Sequence, residues 1–364
     1  MKKYKLGDLI ELCDERNSYG YTNFYGLNIN KEFMPTWANT EGLDESKYKV
    51  VRKKRFVFSG MQTGRDECIR ISMYGGEEPI IVSPAYTTFE IAREDIVLPE
   101  YFFMLFLSKE KDRFGAFCSD GSVRSNLDWE RFCDFEITLP SIEQQRKYVN
   151  VYLALQNNLA VYQSKADELK LVCDGYIEEL RRKIPCERIG SYIKPCDERN
   201  SDLKIKLAQG ITNDKEFANP KQVADAETSA KIVHKGQFAY NRATTRNGEK
   251  ISIAYRTGED CVVSSAYQIF EISAKDKLYP EYLMMWYKRS EFDRYARYMS
   301  KGSAHEFFEY EDMEEVQIPI PSLEIQKAIA SMYSAYKERQ RIANSLKEQI
   351  NNICPVLIRG SLME

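Results

Sequence analysis

At 364 residues the chain is long enough for two domains that each bury a core, and 43% hydrophobic with 29% charged residues excludes a chain disordered along most of its length. The formal net charge of -3 provides no basic excess, so charge alone neither announces nor excludes a nucleic-acid binder, because an acidic molecule can be basic on one face. No apolar run has the length of a membrane span, the N-terminus lacks a signal-peptide pattern, and nine cysteines, never spaced Cys-x-x-Cys, support neither a disulfide framework nor a zinc site. The expected location is cytoplasmic, with no membrane contact and no metal.

The chain opens on "KLGDLIELCDERNS" from Lys5 and reaches a basic run, "RKKR", whose Lys53 and Arg55 are candidate phosphate contacts. "FVFSGM" alternates large apolar with small or polar residues, as a strand does, and leads into "SGMQTGRDECIRIS". That loop holds Gln62, Thr63, Arg65 and Arg70, side chains suited to base edges and phosphates. "PIIVSPAYTTFEI" is β-branched and aromatic and contains Tyr86; "LPEYFFMLFLSKE" reads as a buried helix with Pro in its first turn. "GSVRSN" then offers Arg124 and Asn126, with Gly allowing close backbone approach.

After Pro140, Ser141 is an N-cap, Gln144 completes a capping box, and Glu143 suits the first turn. A long helix follows, with seam positions at Ile142, Gln145, Val149, Tyr152, Leu155, Leu159, Tyr162, Ala166, Leu169, Cys173, Tyr176 and Leu180. Steps of three and four with one irregularity make this a heptad seam with a single stutter, stopped by Pro185. A helix of about 40 residues reaches roughly 60 Å.

From there the chain repeats itself at a shift of about 180 positions. "RIGSYIKPCDERNS" at Arg188 faces the opening stretch, "KEF" at Lys215 faces Lys31, "YQIFEI" at Tyr267 faces "YTTFEI" at Tyr86, and "YPEYLMMWYKRS" at Tyr279 faces "LPEYFFMLFLSK" at Leu98. The shared order and the identical "CDERNS" establish a tandem duplication. The second copy's loop "YNRATTRNGEKIS" holds Asn241, Arg242, Thr244, Thr245, Arg246 and Asn247; "KGSAHE" adds Lys301 and His305, and Tyr267 matches Tyr86. "IPSLEIQKAI" launches a second long helix with its seam at Leu323, Gln326, Ile329, Tyr333, Tyr336, Gln340, Ala343, Leu346, Ile350 and Ile353, stopped by Pro355. Each long helix exposes too many Tyr and Leu to stand alone and needs the other.

The expected organisation is a recognition domain over 1–140, a coiled-coil helix over 141–183, a second recognition domain over 184–321, a second coiled-coil helix over 322–353 and a tail over 354–364. The fold class is α+β: two strand-rich, pseudo-twofold related globular domains separated by two long helices pairing as an antiparallel coiled coil. Catalytic constellations are missing. Two histidines without a Cys/His cluster give no zinc site, no Gly-rich phosphate loop or dinucleotide turn occurs, and no Asn/Asp-Pro-Pro-aromatic element marks an adenine methyltransferase. The chain is read as not an enzyme.

The whole pattern resembles the specificity subunit of type I restriction-modification systems. The likeness is carried by "GSVRSNLDWERFCDFEITLPSIEQQRKY" and its second copy ending in "IPSLEIQKAI", and by "SPAY" and "SSAY" at Ser83 and Ser264. The resemblance implies that each globular domain reads one half of a bipartite DNA site while the coiled coil fixes their separation. It also implies two modification subunits that carry S-adenosylmethionine and methylate adenine, restriction subunits using ATP and Mg, and no cofactor on this chain. Two departures stand out: His305 takes the place of Arg124, and Ile325 that of Gln144. The competing reading is a non-catalytic coiled-coil assembly scaffold that does not contact DNA.

Overall fold

A computed structural model of the chain describes residues 2–36, 39–220, 228–243, 250–302 and 306–363. The chain forms two compact units, one of Met1–Tyr162 with Ile342–Glu364 and one of Gln163–Arg341. The long helices, Ile142–Lys183 and Leu323–Ser361, each contribute one half to each unit.

In the first unit the central sheet runs in the order Ile10–Leu12, Thr87–Ile91, Phe56–Ser59, Arg70–Met73, all antiparallel. The second unit repeats it with Ile193–Cys196, Tyr267–Ile272, Gln237–Asn241 and Ile253–Tyr255. Strand Phe56–Ser59 is buried on both faces rather than alternating, because two layers cover it. Phe56 and Phe58 join the main core with the helix Pro99–Phe106, while Val57 packs with Leu27, Val51, Ile80 and Val82. Those last residues belong to a second sheet, in the order Phe33–Pro35, Phe24–Leu27, Ile80–Val82, Lys49–Val51. Duplication extends to ring geometry: Phe56 stacks on Phe89 with centroids 5.0 Å apart, and Phe238 on Phe270 at the same 5.0 Å. The expected buried helix ends early in both copies, at Phe106 and Tyr287, and a separate helix follows over Lys109–Phe117 and Ser290–Met299.

The first and last strands of each globular part pair, Lys2–Lys5 with Glu136–Leu139 and Cys186–Arg188 with Gln317–Pro319, and the long helix begins just after. Ser141 Oγ accepts from Gln144 N at 3.3 Å, the expected N-cap bond. The last residue of Pro-Ser-x-Glu-x-Gln has a role that the spacing does not reveal. Gln145 is fully buried, accepts from Leu98 N at 3.0 Å and donates to the carbonyls of Ile96 (2.8 Å) and Pro140 (3.0 Å). Gln326 does the same with Tyr279 N, Lys277 O and Pro321 O at 2.8, 2.7 and 2.8 Å. One amide thus bolts each long helix to the turn before its buried helix.

Buried positions recur every seven residues on the first long helix, at Gln145, Tyr152, Leu159, Ala166, Cys173 and Leu180, and on the second at Ile329, Tyr336, Ala343 and Ile350. The i+7 set is unbroken on both helices, and the expected irregularity is present in the first, where Val149, Tyr152 and Leu155 follow one another at steps of three into the same core. In the first unit Val149, Tyr152 and Leu159, with Leu155 and Tyr162 beside them, share a core with Ala343, Ile350 and Leu346. In the second unit Leu180 shares one with Ile329 and Tyr333. The start of each helix therefore meets the end of the other, the antiparallel sense. Tyr176 and Ile353 depart from expectation: both are exposed, and Ile177 and Cys354 next to them point inward. Leu169 is half-buried.

Pro355 does not stop the second helix, which continues to Ser361. Proline forfeits one backbone hydrogen bond. The following turn offsets it by packing Leu357 and Ile358 on the first unit's core, and Ser361 Oγ bonds the Tyr101 hydroxyl at 2.6 Å. Residues 354–361, expected as part of a tail, are the helix's last turns.

Candidate nucleic-acid interface

The two loop sets singled out in the sequence come together. Strand Phe56–Ser59 ends at Gly60, and Gln62 and Glu67, both left-handed (φ 59° and 48°), bracket a single helical turn, Thr63–Asp66. Against this turn lies the loop of residues 119–127. Gly64 N donates to Ser125 O (3.0 Å), Gln62 N to Asn126 Oδ1 (3.1 Å) and Leu127 N to Gly60 O (2.8 Å). A Cβ on Gly60 would stand 1.9 Å from Leu127 O, so glycine is required there. Asp120 organises the second loop by accepting from Ser122 Oγ (2.6 Å) and Asn126 N (2.9 Å), bonds that hold its carboxyl below the usual range. On the outside of this interlocked pair Arg65 and Arg124 are exposed and make no ion pair among the described residues, and Val123 is wholly exposed.

The base of the loop is pinned by a buried ion pair. Lys31 Nζ meets Asp112 Oδ1 at 2.6 Å and donates to Ile69 O at 2.9 Å, while the same carboxylate accepts from Ile69 N at 2.9 Å. Lys215 repeats this with Asp293 at 2.6 Å, and Asp293 accepts from Ile251 N at 3.2 Å. Both lysines are left-handed, at φ 61° and 64°. Burial lowers the Lys215 pKa, against the pull of Asp293. The repeated "KEF" is therefore a loop anchor.

In the second unit Phe307 exchanges backbone hydrogen bonds with Lys301 and forms a bridge to Ala243, Phe308 N donates to Arg242 O at 2.9 Å, and Arg242 Nη1 pairs with Glu309 at 3.0 Å. The same two loops meet here. Thr244, Thr245, Arg246, Asn247 and His305 lie outside the described residues. Lys301 is exposed, with its Nζ 3.4 Å from Asp312.

Several expected contact residues have structural work instead. Arg55 is 5% exposed and pairs with Glu15 (2.8 Å) and Glu90 (2.7 Å), which withdraws it from the surface, whereas Lys53 stays half exposed in a surface pair with Glu77. Thr63 is fully buried and donates to Gly60 O at 3.0 Å; Arg70 pairs with Asp66. Asn126 staples the loops, and Asn241 Oδ1 accepts from Ala243 N at 3.1 Å. The Tyr86 and Tyr267 hydroxyls accept from Leu27 N and Ile211 N at 3.2 and 3.3 Å, tying one sheet to the next. The identical "CDERNS" is scaffold too. Asn17 brackets Tyr21 with two backbone bonds and Asn200 brackets Ile205, Arg16 and Arg199 reach the carbonyls of Lys47 and Ser229, and Glu15 holds Arg52 where Glu198 holds His234. Among the described residues no His/Cys/Asp/Glu cluster could hold a metal, and no helix is long and apolar enough to cross a membrane.

Two duplicated α+β units, each carrying a pair of interlocked polar loops at one end of its central sheet, define a tandem-repeat scaffold for presenting recognition loops. The sequence matches the family model for the type I restriction modification DNA specificity domain over residues 1–171 and 203–352. The chain belongs to that family, and its function is DNA specificity in type I restriction-modification. Among solved structures, the type I restriction-modification S subunit from M. genitalium is 11% identical, with TM-score 0.61 over 99% of this chain and 95% of that one; it shares the fold. The HsdS subunit from Thermoanaerobacter tengcongensis is 14% identical with TM-score 0.36, covering 99% of this chain and 96% of that one. A chain solved in a study of complex assembly and conformational transition of the type I R-M system is 14% identical with TM-score 0.46, covering 99% and 98%. No curated protein matches the sequence.

Proposed function

We propose that each unit reads one half of a bipartite DNA site through its interlocked loops, while the paired long helices set the spacing between the half-sites and help to recruit modification subunits. The chain itself is non-catalytic. S-adenosylmethionine belongs to two modification subunits, and ATP and Mg to restriction subunits that join them. The observation that carries this reading is the meeting of the two loop sets in each unit, with Arg65 and Arg124 exposed and without an ion pair among the described residues in the first. Arginine on a rigid, glycine-dependent loop suits phosphate or guanine, and the rigidity limits the entropy lost on binding.

The test is the methylome of cells expressing this chain with a modification subunit, with and without Arg65→Glu and Arg124→Glu. A bipartite methyl-adenine motif that the double variant erases supports the reading. A motif untouched by the double variant removes these loops from recognition. A stable complex that yields no motif favours the assembly-scaffold reading.

A further inference from the structure

We propose that one exposed face of the helices Lys109–Phe117 and Ser290–Met299 is a second DNA-contacting surface in each unit, with Phe117 and Tyr298 as aromatic wedges and Arg113 and Arg294 as phosphate contacts. The proposal rests on the DNA reading above and extends it to residues outside the loops.

Phe117 and Tyr298 are each 86% exposed, near the extreme for an aromatic side chain in a folded protein. They hold the same repeat position. Gly115 and Ala296, two residues earlier, are both buried, and Ser119 and Ser300, two residues later, each donate to the carbonyl of that buried residue, at 3.0 and 2.6 Å. The helix is thus held in the same rotation in both copies, small residue inward and ring outward. One turn earlier, at i−4, stand Arg113 and Arg294, on the same helical face as the rings and both exposed. No carboxylate among the described residues reaches ion-pair distance of either arginine, although Glu291 feels the charge of Arg294.

A lone exposed ring needs no explanation. An exposed arginine and aromatic at fixed spacing, kept in both copies while Lys111 faces Phe292 and Ala116 faces Arg297, does. Chemistry and position select DNA as the occupant. Each helix runs directly into the second recognition loop, to Arg124 in the first unit and Lys301 in the second, so the face continues the candidate interface. In the first unit its base is fixed to the other loop, since Gly115 packs under Ile69 and Asp112 holds Ile69 N. Guanidinium groups take phosphate oxygens, and an aromatic ring beside them fits a sugar or a base step.

The complex reconstituted with modification subunits is titrated against a labelled duplex carrying the methylated motif, followed by fluorescence anisotropy at several salt concentrations. Phe117→Ala with Tyr298→Ala is expected to weaken binding about tenfold per ring, about 1.4 kcal/mol each, with the salt slope unchanged. Arg113→Ala with Arg294→Ala is expected to reduce the slope by about two, since each phosphate contact contributes about 0.9. Thermal midpoints should not move, because the side chains are exposed. Wild-type affinity in the aromatic double variant overturns the proposal. If Arg65→Glu with Arg124→Glu still abolishes binding, the DNA reading survives that failure; if it does not, both fall. Loss of a modification subunit by sedimentation, with DNA affinity intact, overturns it in favour of a protein interface.

Discussion

Replacing Asp112 by Asn keeps the side-chain shape but strips the counter-charge from a lysine that is 6% exposed. Lys31 Nζ would keep the carbonyl of Ile69 and lose its only carboxylate among the described residues. Breaking a buried pair from one side costs about 3–5 kcal/mol, and the partial exposure of Asp112 places this case near the lower bound, about 3 kcal/mol. For a unit of this size that is a fall of about 6–12 °C in thermal midpoint. Lys31→Met removes the charge that needed a partner, so the double variant should recover part of the loss, with a coupling of at least about 1.5 kcal/mol. Calorimetry of the full chain can resolve this, with Asp293→Asn as the mirror perturbation to assign transitions to units, because a two-unit chain need not unfold in one step. A drop below about 0.5 kcal/mol for Asp112→Asn, or strictly additive single changes, would refute the anchor.

Gln145→Leu leaves Leu98 N, Ile96 O and Pro140 O without their side-chain partner, and should destabilise the first unit by about 3 kcal/mol; Gln326→Leu should do the same to the second, read as separate calorimetric shifts. His234 is hydrogen-bonded to Asp260 and Glu198, which raise its pKa, so its stabilising contribution is full below the unfolded value near 6.5 and fades as pH rises through the raised one. Its ring is more than a third exposed, which keeps the effect below about 1 kcal/mol; the thermal midpoint difference between wild type and His234→Gln should shrink as pH rises toward 9, and a difference that grows would contradict the assignment.

The architecture was legible because duplication left matching strings in the same order at a shift that drifts by only a few residues, and because heptad spacing survives in sequence. The interface was half legible. Glycine and arginine in "SGMQTGRD" and "GSVRSN" marked the right loops, but nothing in the linear pattern separates Arg65, which faces solvent, from Arg55, which is buried between two carboxylates contributed by residues 15 and 90. The same limit applied to Gln145, read as an indifferent seam position, because its three partners lie on a turn some fifty residues earlier and at the preceding proline. "CDERNS" marked the duplication, but its scaffold role was not legible, because the backbone groups it holds lie in loops that only the fold brings beside it. Pro355 obeyed its local rule, losing a bond, and was overridden by burial of the turn beyond it. Phe117 and Tyr298 carried a signal that went unused, an arginine four residues before an aromatic at one repeat position in both copies.

The division of the long helices between the units sets an order of events during synthesis. The second unit is contiguous, from Gln163 to Arg341, and is complete once residue 341 has left the ribosome. The first unit, though made earlier, lacks Ala343, Ile350 and Cys354 in its core and the Ser361 partner of Tyr101 until the last residues emerge. The half of the chain born first should therefore mature last, and a chain ended at residue 341 should show a protease-resistant second unit beside a sensitive first one.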